Sequence, residues 1–179
     1  IIANNVLAHV ADLNGFVDGV SILLKQTGKA VMEFPYLLDL IEHCEFDTIY
    51  HQHLCYFSVT AIKNLLTQHS MYLNDVRRIS IHGGSLRIFV SHNPDESQAV
   101  KDLLKKEKTL NIGHISFYQE FAKRVKEIKS QITLILSKLK EENKSIAAYG
   151  AAAKACTLLA YCEIDQRFVD YIVDLNPVK

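Results

Sequence analysis

The amino-acid sequence predicts an α/β protein of two units joined by helix, and three observations carry that prediction. An apolar strand, an amphipathic helix and a second apolar strand follow one another over residues 1–34. Two β-rich runs meet at Gly83-Gly84 as a hairpin. A strand, a glycine, a helix and a further strand ending in an acid then occupy residues 145–174.

Each element has its own justification. Residues 1–7 form an apolar run that closes on Asn4-Asn5 and reads as a buried strand reaching its carboxyl end. From Leu13 to Lys25 the apolar residues Phe16, Val20, Leu23 and Leu24 share a helical face, and Gly28 stops the helix. Residues 29–34 (KAVMEF) are a strand ended by Pro35. A short helix covers 37–43, and Ser58 caps another that runs to Gln68 through Ile62, Leu65 and Leu66. Between them, residues 45–57 are polar, aromatic and irregular. The hairpin strands are 72–81 and 85–92.

Beyond Asp95 the pattern changes. Tyr118, Phe121, Val125, Ile128, Ile132, Ile135 and Leu139 alternate steps of three and four, a heptad seam on one long helix. Such a seam docks on its own chain more often than it dimerises, and a homodimer through helix 115–140 is the other reading it offers. Residues 101–144 hold eleven Lys/Arg against six Asp/Glu, a net +5. With no aromatic ladder among them, these charges read as a solvated helix face. Residues 145–149 are a strand, Gly150 a turn, 151–161 a helix and 168–174 a strand. The expected division is 1–93, a helical connector over 94–143, and the start of another α/β unit over 144–179.

Composition excludes several classes. Of 179 residues, 49% are hydrophobic and 22% charged, with twenty basic side chains against twenty acidic. That balance removes a broad electrostatic attraction to nucleic acid or anionic membrane. No apolar run approaches the ~20 residues that span a bilayer, and no basic-then-apolar leader opens the sequence. Cys44, Cys55, Cys156 and Cys162 form no CxxC pair, so reduced thiols in a cytoplasmic protein are expected, in place of a disulfide framework or zinc site. Because the chain opens on Ile1-Ile2-Ala3, as if inside a strand, and stops just after Asn176-Pro177, a fragment is expected.

The densest chemistry lies in Phe46-Asp47-Thr48-Ile49-Tyr50-His51-Gln52-His53-Leu54-Cys55-Tyr56-Phe57-Ser58. Histidine is the side chain best suited to move protons near neutral pH. A tyrosine hydroxyl can donate to a developing oxyanion. His51 and His53 also have the look of a metal pair, but no third ligand stands at a sensible spacing. Two histidines held by backbone in an irregular loop is the purely structural alternative.

FDTIYHQHLCYFS, followed by IHGGSLRIFV and then YGAAAK, resembles the C-terminal part of the sugar C-methyltransferase family, and NNVLAHV resembles that family's stretch at the end of its fourth strand. The resemblance runs through nearly the whole chain. It implies part of a class I methyltransferase (Rossmann-like) fold with a terminal hairpin, a long helix, and the start of a second Rossmann-like domain. It also implies an S-adenosylmethionine-dependent enzyme that removes a proton beside the ketone of a nucleotide-linked deoxysugar and methylates that carbon. A base, an enolate-oxygen donor and an in-line sulfonium are then needed.

By the resemblance His53 is the candidate base, Tyr50 assists at the sugar, and His9 is near the active site. Gln52 stands where the family usually carries glutamate, and glutamine cannot accept a proton. Ala155-Cys156 is a milder departure. Asn4 and Asn5 would line the donor crevice, or else merely cap a strand. His51, His82, Ser85 and Arg87 are candidates for the substrate side. Gly150, the helix amides after it and Lys154 would suit a diphosphate, with Asp174 at a ribose; Lys154 equally suits an exposed helix surface. The family's glycine-rich donor turn and zinc-binding cysteine cluster do not occur in these residues, so zinc is expected only upstream. The alternative function is a non-catalytic assembly module working through helix 115–140.

Overall fold

A computed structural model describes residues 1–176. The chain divides into two compact units, one of residues 1–43 and 51–118, the other of residues 44–50 and those from Gln119 on.

The first unit is a four-stranded mixed sheet with helices packed on it. β1 (Ile2–Asn4) and β2 (Ala30–Pro35) are parallel, and α1 (Leu13–Leu23) makes the crossover that parallel strands require. α2 (Leu37–Glu42) and α3 (Val59–Gln68) follow; the hairpin β3 (Tyr72–Ile79) and β4 (Ser85–Ser91) completes a sheet ordered β1-β2-β4-β3, with β4 antiparallel to both neighbours. Alternation decides which face is covered. Ala30, Met32 and Phe34 of β2 lie opposite Val90, Ile88 and Leu86 of β4, and all six are fully buried. Val17, Val20 and Leu24 from the α1 region and Ile62 and Leu66 from α3 cover them.

Three sequence expectations shift here. The first strand is short, because Asn5 turns into left-handed backbone (φ 54°) and Leu7–His9 coil into one 3₁₀ turn. On α1 the inward residues are Val17 and Val20, while Leu23 is 76% exposed. The helix ends there, and the extended backbone of Leu24 swings that side chain into the core instead. β2 ends at Pro35 as expected, with its bounds shifted by one residue to include the proline itself.

The hairpin connection is longer than a two-residue turn, passing through a 3₁₀ turn at Ile81–Gly83 before Gly84. Gly84 has φ 130°, and a Cβ there would lie 2.5 Å from Asp39 Oδ2, so both conformation and space call for glycine. Asp39 is itself buried and paired with Arg78.

α4 (Gln98–Thr109) packs on β3 and α3 as a member of the first unit. α5 (Ile115–Glu141) begins in the first unit and continues in the second. The segment expected as a connector is thus shared between the two compact bodies. In the second unit β5 (Ala147–Tyr149) and β6 (Tyr171–Val173) pair in parallel, with α6 (Ala153–Cys162) between them in sequence. The seam of α5 is occupied within the chain: Phe121, Val125, Ile128 and Ile132 pack with Phe46, Leu158, Cys162 and Ile164. Farther along, Ile135 is 58% exposed.

Candidate functional site

The end of β1 delivers the first candidate residues. Asn4 is exposed opposite Glu33 of β2, and the Asn5 amide donates 2.8 Å to the Glu33 carbonyl. After the 3₁₀ turn comes His9, whose ring is exposed. Residues 52–55 are attached to this turn by three hydrogen bonds. The Leu54 and Cys55 amides donate to the Ala8 carbonyl at 2.8 and 3.3 Å, and His9 Nδ1 lies 2.7 Å from the Gln52 carbonyl oxygen. The result brings the His9 and His53 rings to 5.0 Å between centroids, tilted by 59°, with the Tyr56 ring edge-on to His53 at 6.3 Å. Residues 44 apart in sequence thus share one surface. The histidine pair holds two groups able to move a proton, on a loop fixed by main-chain bonds.

Other candidates have partners of their own. His51 and Gln52 are exposed, and His53 is half-buried. Tyr50 is half-buried and belongs to the second unit. His82 sits exposed in left-handed backbone (φ 51°). Ser85, expected on the substrate side, is fully buried; its hydroxyl donates 3.1 Å to the Ile81 carbonyl and closes the hairpin turn. Arg87, also expected on the substrate side, is half-buried and pairs with the buried Glu33, its register partner on β2. These two serve the hairpin and the sheet.

In the second unit the Gly150 amide (φ 94°) donates 2.7 Å to the Val173 carbonyl, and Lys154 lies 4.0 Å from Asp47. Asp174 does not stand open at the strand end: Oδ2 accepts from the Ala151 amide at 2.6 Å and Oδ1 from the Asn176 amide at 2.7 Å. Its carboxylate takes up one of the amides expected to meet a phosphate. Asp170 accepts from Lys140, the Ile146 amide and the Ser145 hydroxyl, and the Lys140 ammonium foremost lowers its pKa to about 2.

One constellation escapes the motif reading. Glu107 on α4 is fully buried and accepts from Tyr36 Oη at 2.8 Å, the Val59 and Thr60 amides at 2.7 and 2.8 Å, and Thr60 Oγ1 at 2.6 Å. The carboxylate sits on the first turn of α3, where amides lack helical partners and the helix dipole favours negative charge. Burial foremost, then the Glu107 charge, pushes the Tyr36 hydroxyl well above its ordinary range. A sequence signal existed: Val100, Leu103 and Leu104 make an apolar stripe, and Glu107 is its next member. The four bonds hold the end of the histidine loop, because Ser58 caps α3 and the Phe57 carbonyl accepts from Leu37 N at 3.0 Å.

Among the described residues, no three of His, Cys, Asp and Glu come together as a metal ligand set, and no helix is long and apolar enough to cross a membrane. The four cysteines are unbridged.

The α/β scaffold thus presents a histidine pair, held by main-chain hydrogen bonds, at the end of a strand. Residues 80–179 match the pattern of the C-methyltransferase C-terminal domain, and over 175 residues the chain is 31% identical to C-methyltransferase NovU of Streptomyces niveus, covering 96% of this chain and 42% of that relative. The chain therefore belongs to the C-methyltransferase family, and it spans about two fifths of the length of this relative.

Proposed function

We propose that this chain carries the deprotonation side of an S-adenosylmethionine-dependent C-methyltransferase acting beside the ketone of a nucleotide-linked deoxysugar. The observation that supports it most is the meeting of His9 and His53 at 5.0 Å on a loop tied to the end of β1. Removing a proton next to a ketone needs a base within hydrogen-bond reach and a donor for the enolate oxygen. The histidine pair supplies the base, and the donor is the role that the family resemblance gives to Tyr50. His51 and His82 are exposed for contacts to the sugar.

The methyl donor fits what β1 offers. Asn4 is exposed and Asn5 half-buried at a strand's carboxyl end, where α/β sheets place ligands, and these two side chains would hold one wall of it. Bound there, its sulfonium supplies an electrophilic methyl group. On the substrate side, Gly150 and Lys154 belong to the diphosphate reading, with Asp174 holding the turn they lie on.

The test is transfer of labelled methyl from S-adenosylmethionine to a panel of nucleotide-linked keto-deoxysugars by the full-length enzyme. His53→Asn is expected to lower the rate about 10²–10⁴-fold while leaving donor affinity unchanged. No transfer to any keto sugar by the unaltered enzyme would sink the reading. Gln52→Glu is the companion: an unchanged rate means the histidine pair suffices without a carboxylate at position 52.

A further inference from the structure

We infer that His9 is a second proton acceptor of this site, fixed as its Nδ1–H tautomer by the main-chain carbonyl of Gln52. This rests on the methyl-transfer reading above and adds to it a mechanism for an enzyme with glutamine between His51 and His53. A carbonyl oxygen has no proton to give, so at 2.7 Å it only accepts, and His9 Nδ1 carries the hydrogen. A neutral imidazole with its proton on Nδ1 has its lone pair on Nε2. The ring is exposed, so a ligand can approach it.

The mounting is fixed at both ends. The Ala8 carbonyl, one residue before the ring, accepts from the Leu54 and Cys55 amides, two and three residues beyond the carbonyl that holds it. The ring and its partner therefore move together. This is the preorganisation that a proton acceptor requires, since reorienting an imidazole during the reaction would add to the barrier.

The step balances without a further reactant. The bond between hydrogen and the carbon beside the ketone breaks, its electron pair stays on carbon and spreads to the ketone oxygen as an enolate, and the proton passes to His9 Nε2. The imidazolium so formed keeps Nδ1–H on the Gln52 carbonyl, and that bond strengthens because its donor has become charged. Serine hydrolases use a carboxylate to hold the corresponding nitrogen. A main-chain carbonyl does it here, so the side chain at position 52 need not be acidic.

The experiment is long-range proton–nitrogen correlation spectroscopy of the nitrogen-labelled chain at mildly alkaline pH, with the His9 signals assigned by their loss in His9→Gln. Should that variant not fold, through-bond correlations from its β protons supply the assignment. The expected pattern is the Nδ1–H tautomer, retained in Gln52→Ala. An Nε2–H pattern overturns the inference, and loss of the Nδ1–H pattern in Gln52→Ala overturns the main-chain assignment. In the full-length enzyme His9→Asn is expected to lower kcat at least tenfold with KM little changed, whereas an unchanged kcat removes the acceptor role. Failure of the unaltered enzyme to methylate any keto sugar would sink the methyl-transfer reading and leave the spectroscopic result standing.

Discussion

Glu107 shows how a single buried carboxylate can gather the start of a helix and a neighbouring tyrosine. It is surrounded by the Tyr36 hydroxyl, two amides and the Thr60 hydroxyl, so removing it leaves buried donors unsatisfied. Glu107→Ala is expected to cost on the order of 3 kcal/mol, and Tyr36→Phe about 1 kcal/mol because three donors remain; thermal unfolding of both variants measures it. Tyr36 also sets an alkaline limit. Its folded-state pKa is raised above the ordinary 10.0, chiefly by burial, so its contribution is complete below pH 10 and is lost as pH rises from there toward the folded value. The unfolding midpoint should fall above that pH, and less steeply in Tyr36→Phe. At this scale the sequence was partly legible. Ser58 as a helix cap could be read from residue type, and His9 with His53 as neighbours followed from the family resemblance. The Gln52 contribution could not, because a main-chain carbonyl has no letter. The partners of Ser85, Arg87 and Asp174 were not legible, because motif order says nothing of which neighbour a polar group meets. Ser85 meets a carbonyl in its own turn, Arg87 its cross-strand glutamate, and Asp174 the amide of Ala151.

Among the elements, the hairpin turn and the helix caps are where local chemistry can be tested. Gly84→Ala places a methyl group against Asp39 in a backbone conformation that favours glycine, and a loss of about 1–3 kcal/mol is expected. If the unfolding midpoint is unchanged, the close approach of Gly84 to Asp39 is not tight. Ser58→Ala removes the side-chain acceptor for the Ala61 amide at the start of α3, at about 1 kcal/mol. In the second unit, Asp170 gathers the end of α5 and the start of β5 around one carboxylate. Its pKa is depressed to about 2, so its contribution is present above the ordinary 3.8 and lost as pH falls from there through 2. Asp170→Asn should flatten that acid limb of the unfolding midpoint. Most element types were legible from periodicity together with glycine, proline and capping signals. The seam on α5 is an example: its spacing announced an apolar stripe but not that Phe46, from far upstream, would pack on it. Stripe and partner are separate pieces of information, and the partner lies in tertiary structure.

For the molecule as a whole, the shared length with its relative sets the expectation. Residues 1–179 cover 42% of C-methyltransferase NovU, and in this chain only Asn4 and Asn5 are candidates for the donor side. Calorimetric titration with S-adenosylmethionine should therefore show no micromolar binding by residues 1–179. Micromolar binding would place the whole donor site within this chain. The buried Glu107 carboxylate has a consequence of another kind, in the opening motions of the chain. First-turn amides of a helix ordinarily trade their hydrogens with water quickly, since no carbonyl of the helix covers them. Val59 and Thr60 are first-turn amides covered by Glu107, and a carboxylate half-withdrawn from its four donors would be both buried and unpaired. Their hydrogens should accordingly be released only when α4 lifts as a body from α3, making these two amides a clock for that motion.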